Sequence, residues 1–136
     1  MAARDPTAIL QQLMPLAVTL GFTVARWESE EVQIGVAWRP DLCTAGDLLH
    51  GGVIMALADS AGASCAFLNL PTGAATTTVE SKTNFLRAVR HGTAMATARP
   101  LHTGRSVIVV ETEVRDGDGR LAAKTVQSQM VLSRPE

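Results

Sequence analysis

One acidic residue lies inside a long stretch of small and apolar residues. Asp59 occupies the middle of residues 48–70, which read LLHGGVIMALADSAGASCAFLNL. A carboxylate that is removed from water destabilises the protein unless it is paired, hydrogen-bonded or protonated. Asp59 is therefore either a structural residue that a nearby donor satisfies or a catalytic group, and this stretch alone leaves both interpretations open.

The same stretch begins with His50, Gly51 and Gly52, where the sequence otherwise favours a helix. Glycine at a helix start lets a ligand approach the backbone, and the first N–H groups of a helix have no intrahelical partner. Such a start can stabilise the oxyanion that develops on a carbonyl during acyl transfer. The alternatives are a simple loop hinge at the glycines and a capping role for the histidine.

The sequence lacks the motifs that are typical of other nucleophilic, redox and metal-dependent active sites. No G-x-S-x-G, C-x-x-C or H-E-x-x-H occurs, and the three histidines show no metal-ligand spacing. Cys43 or Cys65 could form a Cys–His pair with His50, but inert buried thiols are more common. The DGDG segment at 116–119 lacks the closing ligands of a calcium loop and predicts a turn. We expect no metal site and no cofactor.

Composition excludes several functions. The chain has 136 residues and a formal net charge of -1, so we expect one domain over residues 1–136 and no nucleic-acid partner. No apolar run approaches the length of a membrane span, and we therefore expect no membrane partner. The polar N-terminal residues and the two cysteines predict a cytoplasmic protein with free thiols.

The pattern of elements predicts the fold class. Helical spacing over residues 9–20 is interrupted by Pro15, and two candidate strands follow, the second over residues 32–38 and ended by Pro40. After a polar loop, residues 48–70 predict a long helix that is apolar all round and buried on every side. Four strands complete the chain, one of them ending near Pro100. We therefore expect an α+β fold in which a curved antiparallel sheet wraps around one long buried helix.

Three segments together resemble the hotdog-fold acyl-CoA thioesterases, of the phenylacetate-degradation (PaaI-like) branch. They are HGGVIMALADSAG at 50–62, TVESKTNFLRAVRHG at 78–92 and HTGRS at 102–106, with the final hairpin. The resemblance covers most of the chain from Leu48 onward. It implies hydrolysis of acyl-CoA thioesters, with coenzyme A as part of the substrate, in a homodimer or a dimer of dimers, that is, a homotetramer.

The resemblance also implies roles for particular residues. Asp59 corresponds to the nucleophile or general base, Gly51 to the residue whose N–H polarises the thioester carbonyl, and His50 to the histidine that fixes this end of the site. Thr78 falls where a Ser or Thr lies near the attacking water. The implied coenzyme A contacts are Glu80, Arg87, Arg90, Gly104, Arg105 and Ser106. In such dimers the acidic residue and the glycine meet across the subunit interface.

One position departs from the family pattern. Many relatives carry an Asn or Gln in the loop before the histidine, where this chain has Thr44 as the nearest counterpart. Two alternative functions stay open on the same fold. One is an acyl-thioester dehydratase or hydratase with a histidine base, and the other is a non-catalytic acyl-CoA binding module in which Thr44 marks the loss of turnover.

Overall fold

The computed structural model describes residues 4–133. The chain begins with two short helices, α1 (Pro6–Leu13) and α2 (Pro15–Leu20), which are separated at Met14. Pro15 lacks the N–H that a continuous helix needs, and it occupies the first turn of α2 instead. The predicted interruption of this helix is therefore confirmed.

Six strands form the main sheet: β1 (Thr23–Glu28), β2 (Glu31–Ala37), β5 (Ala75–Phe85), β6 (Thr93–Thr103), β7 (Val107–Arg115) and β8 (Leu121–Leu132). This sheet is antiparallel, in the order β1-β2-β6-β7-β8-β5. Strands β1 and β5 lie at the two edges. The α+β class and the expected antiparallel sheet with one long helix are confirmed.

The loop before the long helix contains more structure than the sequence predicted. A 3-10 turn (Pro40–Leu42) leads into a two-stranded ladder of β3 (Cys43–Thr44) and β4 (Leu48–Leu49). The predicted strand end near Pro100 is wrong, because β6 continues to Thr103 past a register shift between Pro100 and His102. A proline is tolerated at such an irregularity because the local ladder is already interrupted.

The long helix α3 (Gly51–Leu68) packs on the inner face of the sheet. It is not buried on every side, because one face that includes Met55 and Phe67 stays exposed. The expectation that no run reaches the length of a membrane span is also wrong. By length and hydropathy α3 meets that criterion, although half of it is buried inside the fold as the core helix.

The inner face of the sheet has an apolar half and a polar half. The apolar half consists of buried residues of β2, β6 and β7, which are apolar except for Thr112: Val32, Ile34, Val36, Ala94, Ala96, Ala98, Ile108, Val110, Thr112 and Val114. The polar half consists of buried and half-buried residues of β5 and β8: Thr76, Thr78, Ser81, Thr83, Thr125, Gln127 and Gln129. Both halves face α3, and the polar half lies beside Asp59.

Candidate active site

Asp59 is held by donors from two strands. Thr78 on β5 donates from Oγ1 to Asp59 Oδ1 at 2.9 Å, and Gln127 on β8 donates from Nε2 to the same oxygen at 2.9 Å. A half-buried carboxylate with two hydrogen bonds satisfies the condition under which a charge can leave bulk water. Asp59 therefore has the hydrogen-bond donors that a structural role requires. A chemical role depends on the other groups that surround it.

The network continues away from Asp59. Gln129 donates from Nε2 to Thr78 Oγ1 at 2.6 Å, and Thr76 donates from Oγ1 to Gln129 Oε1 at 3.1 Å. Gln127 and Gln129 are both fully buried. These contacts fix the orientation of the Thr78 hydroxyl, because its oxygen accepts a hydrogen bond from Gln129 and its proton is donated to Asp59.

An open cavity of about 280 Å³ lies next to Asp59. Its walls are Met55, Ala56, Asp59, Thr78 and Ser81, from α3 and β5. Oδ2 of Asp59 has no donor among residues 4–133, since both hydrogen bonds of this carboxylate go to Oδ1. One oxygen of Asp59 is thus immobilised, and the other stays available to a water or a substrate.

The N-terminus of α3 forms the second part of the site. His50 is the N-cap, and its Nδ1 accepts the N–H of Gly52 at 2.8 Å. Because Nδ1 acts as an acceptor, the neutral imidazole carries its proton on the exposed Nε2. Gly51 is the first residue of the helix, and no residue between 4 and 133 accepts a hydrogen bond from its N–H.

A second cavity of about 340 Å³ lies at this helix start. It is lined by Thr44, Leu48, Leu49, Gly51, Ile54, Phe85, Leu86, Arg87 and Ala88. The ring of Phe85 lies 3.3 Å from the place that a Cβ on Gly51 would occupy. A larger residue at position 51 would therefore press on this ring, which gives the glycine a packing role beside its chemical one.

Asp59 and Gly51 of one chain are too far apart to act on one carbonyl. Eight residues of α-helix separate them, which corresponds to about 12 Å along the axis. Thr78 lies with Asp59, whereas Thr44 and His50 lie with Gly51. The structure thus places the predicted catalytic residues in two groups at different positions along α3.

Three arginines line a third cavity of about 310 Å³, beyond the end of β5. Arg87 and Arg90 share its wall with Arg120, whose Nε donates to Asp116 Oδ2 at 3.2 Å. The backbone N–H of Arg120 is the main cause that lowers the pKa of Asp116, so this carboxylate stays ionised. Asp116 also lines this cavity and pairs with Arg120, so Arg87 and Arg90 are the two guanidinium groups here that suit a phosphate.

The remaining predicted coenzyme A contacts lie elsewhere. Gly104, Arg105 and Ser106 form the turn between β6 and β7, at the opposite end of β7 from Asp116 and Arg120. The nine residues of β7 span roughly 27 Å at the usual rise of a strand. Glu80 is exposed on β5. One chain therefore does not bring Arg87 and Arg90 together with the turn at 104–106.

A smaller cavity of about 160 Å³ lies farther along α3. Its walls come from the α1–α2 junction, β1, α3 and β5: Leu13, Met14, Trp27, Ala63, Ser64, Phe67 and Thr76. Ser64 is almost fully buried, and its Oγ has no hydrogen-bond partner among the described residues. This cavity is apolar apart from two hydroxyls, and it begins one helical turn from Asp59.

The cysteines are not activated. Burial raises the pKa of the Cys65 thiol to about 11, and burial together with Asp47 and Asp41 raises the pKa of Cys43. A nucleophilic cysteine needs the opposite shift, because the thiolate is the reactive form. The Cys–His alternative therefore has no support in the structure, and the described residues contain no cluster that could hold a metal ion.

Three functional candidates were missed from the sequence: Gln127, Gln129 and Arg120. A signal existed for the two glutamines, because they occupy the inward phase of β8 after Ala123 and Thr125. Glutamine at inward positions of a strand is uncommon and indicates a buried polar network. Arg120 gave no such signal, since it directly follows the turn at 116–119 and has the composition of an ordinary surface residue.

This arrangement defines a hotdog-fold enzyme whose carboxylate lies on the central helix. Residues 46–123 match the family model of the thioesterase superfamily. A protein of Saccharolobus solfataricus, named as a candidate esterase, is 33% identical over 132 residues, which is 94% of each chain. A Mycobacterium tuberculosis protein with the same kind of name is 31% identical over 137 residues, 96% of each chain.

Solved structures agree with this assignment. A thioesterase family protein from Silicibacter pomeroyi superimposes with a TM-score of 0.88 at 25% identity, over 96% of this chain and 98% of that one. A thioesterase from Haemophilus influenzae has the same fold, with a TM-score of 0.89 at 24% identity over 100% and 95% of the two chains. The chain belongs to the thioesterase superfamily, and it is a hydrolase of the thioesterase type.

Proposed function

We propose that this protein hydrolyses acyl-CoA thioesters to a free acid and coenzyme A. The observation that carries the proposal is the state of Asp59, whose Oδ1 accepts hydrogen bonds from Thr78 and Gln127 beside an open cavity. An oriented carboxylate with one free oxygen can attack a thioester carbonyl directly, giving an anhydride, or take a proton from water. Both routes remain part of the proposal.

We further propose that the complete site contains two subunits. Gly51 and Asp59 of one chain are separated by about 12 Å along α3, whereas one carbonyl needs both within about 3 Å. Gly51 of the partner subunit would supply the N–H, and the helix start would stabilise the developing oxyanion. A homodimer, alone or paired as a homotetramer, is the smallest assembly that meets this requirement.

The edge strand β5 is our candidate interface. It is 11 residues long and pairs with β8 alone among the strands of residues 4–133, and unpaired edges of this length favour strand addition. When a strand pairs antiparallel with its own copy, two-fold symmetry makes the pair of residues i and j equivalent to the pair j and i. Because opposed pairs alternate between hydrogen-bonded and non-hydrogen-bonded types along the strands, this equivalence requires one residue to lie opposite its own copy. Centring on Ser81 or Lys82 would bring the partner's Phe85, and with it the partner's Gly51, next to Thr78 and Asp59.

The same pairing would unite the coenzyme A contacts. Arg87 and Arg90 follow the C-terminal end of β5, whereas the turn at 104–106 lies near its N-terminal end. In an antiparallel dimer the arginines of one subunit approach the turn of the other. Arg87 and Arg90 would hold a phosphate of coenzyme A in their cavity, and the apolar cavity beside Ser64 would take the acyl group.

The dehydratase alternative requires a histidine base, and the geometry of His50 opposes it. Its Nδ1 accepts from Gly52, so the neutral ring offers a proton at Nε2 and no free lone pair. His50 is suited to donate to a carbonyl or to a polar atom of the substrate. This supports hydrolysis over dehydration. For the binding-module alternative, Thr44 lines the cavity at Gly51, whereas the cavity beside Asp59 has Met55, Ala56, Thr78 and Ser81 as its other walls.

The test is release of free thiol from a panel of aromatic and straight-chain acyl-CoAs by wild type and Asp59→Asn. We expect turnover by wild type and a loss of about 10³-fold or more in the variant, because Asn supplies neither a base nor a nucleophile. Ser60→Ala is the matched control one residue away, since its Oγ donates only to Ala56 O within the helix.

Two results would contradict the proposal. Absence of thiol release from every acyl-CoA would favour a binding module or a dehydratase. Equal rates for wild type and Asp59→Asn would make Asp59 a structural carboxylate.

We also propose a cytoplasmic location, consistent with an intracellular acyl-CoA substrate and with two unpaired cysteines.

A further inference from the structure

Gln127 is a fully buried carboxamide in direct contact with Asp59. Its Nε2 donates to Asp59 Oδ1, whereas its Oε1 accepts no hydrogen bond from residues 4–133. Glutamine is rarely buried completely, and a buried amide oxygen without a partner is unfavourable for folding. Gln127 thus satisfies Asp59 but leaves its own amide oxygen without a partner. A role in the site explains this arrangement better than a contribution to stability does.

The backbone opposite Gln127 is adapted to it. Gly62 lies on α3 three residues after Asp59, and a Cβ at this position would overlap the Oε1 and Cδ atoms of Gln127. Only glycine leaves the amide this space. A glycine in a helix interior lowers stability relative to alanine, so Gly62 is a second unfavourable feature at the same contact.

Both hydrogen bonds to Asp59 converge on one oxygen. Thr78 and Gln127 donate to Oδ1 from β5 and β8, which fixes the rotation of the carboxylate and directs Oδ2 away from these donors. Thr78 is half-buried, so a water can replace its hydroxyl. Gln127 is fully buried, and no water can take its place without a change in packing.

We infer that Gln127 is a positioning residue that orients Asp59 for attack through Oδ2, and that Gly62 provides the space it needs. The inference rests on the proposed function. It also places a buried carboxamide of this site on β8, in direct contact with Asp59.

The test compares two substitutions on the same face of β8. Gln127→Met keeps the volume and removes the donor, and kcat should fall roughly 10- to 100-fold while KM for the acyl-CoA stays unchanged. Thr125→Val is the control, because Thr125 is equally buried and hydrogen-bonds Thr83 rather than Asp59. It should lower the melting temperature and leave kcat at the wild-type value.

A third variant tests the space around the Gln127 carboxamide rather than its hydrogen-bond donor. Gly62→Ala retains the carboxamide but displaces it, so kcat should fall in the same direction, and the double variant with Gln127→Met should lose no more than the larger single loss. A Gln127→Met enzyme with wild-type kcat, or with a kcat loss no greater than that of Thr125→Val, would overturn the inference. So would fully additive losses in the double variant.

The outcome can be separated from that of the proposed function. If wild type releases thiol and Asp59→Asn does not, the thioesterase proposal holds whatever Gln127→Met does. If no acyl-CoA is turned over, crystal structures of the variants decide. The Asp59 carboxylate should keep its orientation in Thr125→Val and change it in Gln127→Met and Gly62→Ala, and an unchanged orientation in all three would overturn the inference.

Discussion

The two halves of the inner sheet face differ in what they contribute to the molecule. The apolar half presents valines, isoleucines, alanines and a single threonine, Thr112, to α3, and these side chains are at most 1% exposed. The polar half presents threonines, a serine and two glutamines to the same helix, and two of these residues, Thr78 and Gln127, donate hydrogen bonds to Asp59. One half of the sheet therefore packs against α3, and the other half supplies the polar residues that surround Asp59.

The difference shows how a small fold combines stability with a buried charge. Burial of apolar surface on β2, β6 and β7 stabilises the protein without directional requirements. The polar half can then carry groups that are costly to bury, including Gln127 Oε1, a buried oxygen that has no partner among the described residues. We therefore expect substitutions in the two halves to affect different measurable quantities.

The largest effect is expected in the apolar half. Ile34→Ala removes a fully buried side chain from β2 and should lower the free energy of unfolding by about 2–5 kcal/mol. The turnover per folded molecule should stay at the wild-type value, because Ile34 pairs with Val24 and Ala96 and lies three strands away from β8 in the sheet. Denaturant titration and kcat on the same preparation check this. A kcat loss comparable to that of Gln127→Met would remove the distinction between the halves.

A smaller effect is expected from Thr78→Val in the polar half. This change removes one donor from Asp59 and one acceptor from Gln129, and kcat should fall about tenfold because water can partly replace the hydroxyl. Steady-state kinetics with the best acyl-CoA measures it. Thr83→Val on the same strand is the control, since its hydroxyl pairs with Thr125 instead. Equal kcat losses in both variants would contradict a specific role for Thr78.

Much of the fold follows from the sequence in physical terms. The period-2 alternation of β2 and β7 and the alanine-rich run of α3 predict the element order, because burial imposes these periods. Asp59 and the glycines at 51 and 52 stand out since they are unfavourable for the elements that contain them. Pro100 misled the prediction of β6 because a strand irregularity that accommodates a proline leaves no mark on local composition.

The surroundings of Asp59 could not be predicted in the same way. Thr78 and Gln127 are 19 and 68 residues away along the chain, and their contact depends on the register of β5 with β8, which includes a shift between Thr78 and Glu80. The prediction that α3 is buried on every side failed for a related reason. Composition reports how apolar a helix is, whereas the number of faces that one sheet covers is a property of the tertiary structure.

The shared site between two subunits is the central claim, and mixing two inactive variants tests it most directly. Asp59→Asn lacks the carboxylate. Gly51→Pro lacks the N–H at the first helical position, where proline is tolerated, and His50 already has the extended backbone that precedes proline. Gly51→Ala keeps the N–H and controls for the added Cβ beside Phe85.

Each variant alone should be nearly inactive. In a shared site, a mixed dimer retains one intact site, formed by Asp59 of the Gly51→Pro subunit and Gly51 of the Asp59→Asn subunit. Random association of equal amounts should therefore restore about a quarter of the wild-type thiol release, since half of the dimers are mixed and each has one of two sites. Recovery to that level supports the account, and a mixture as inactive as its two components contradicts it.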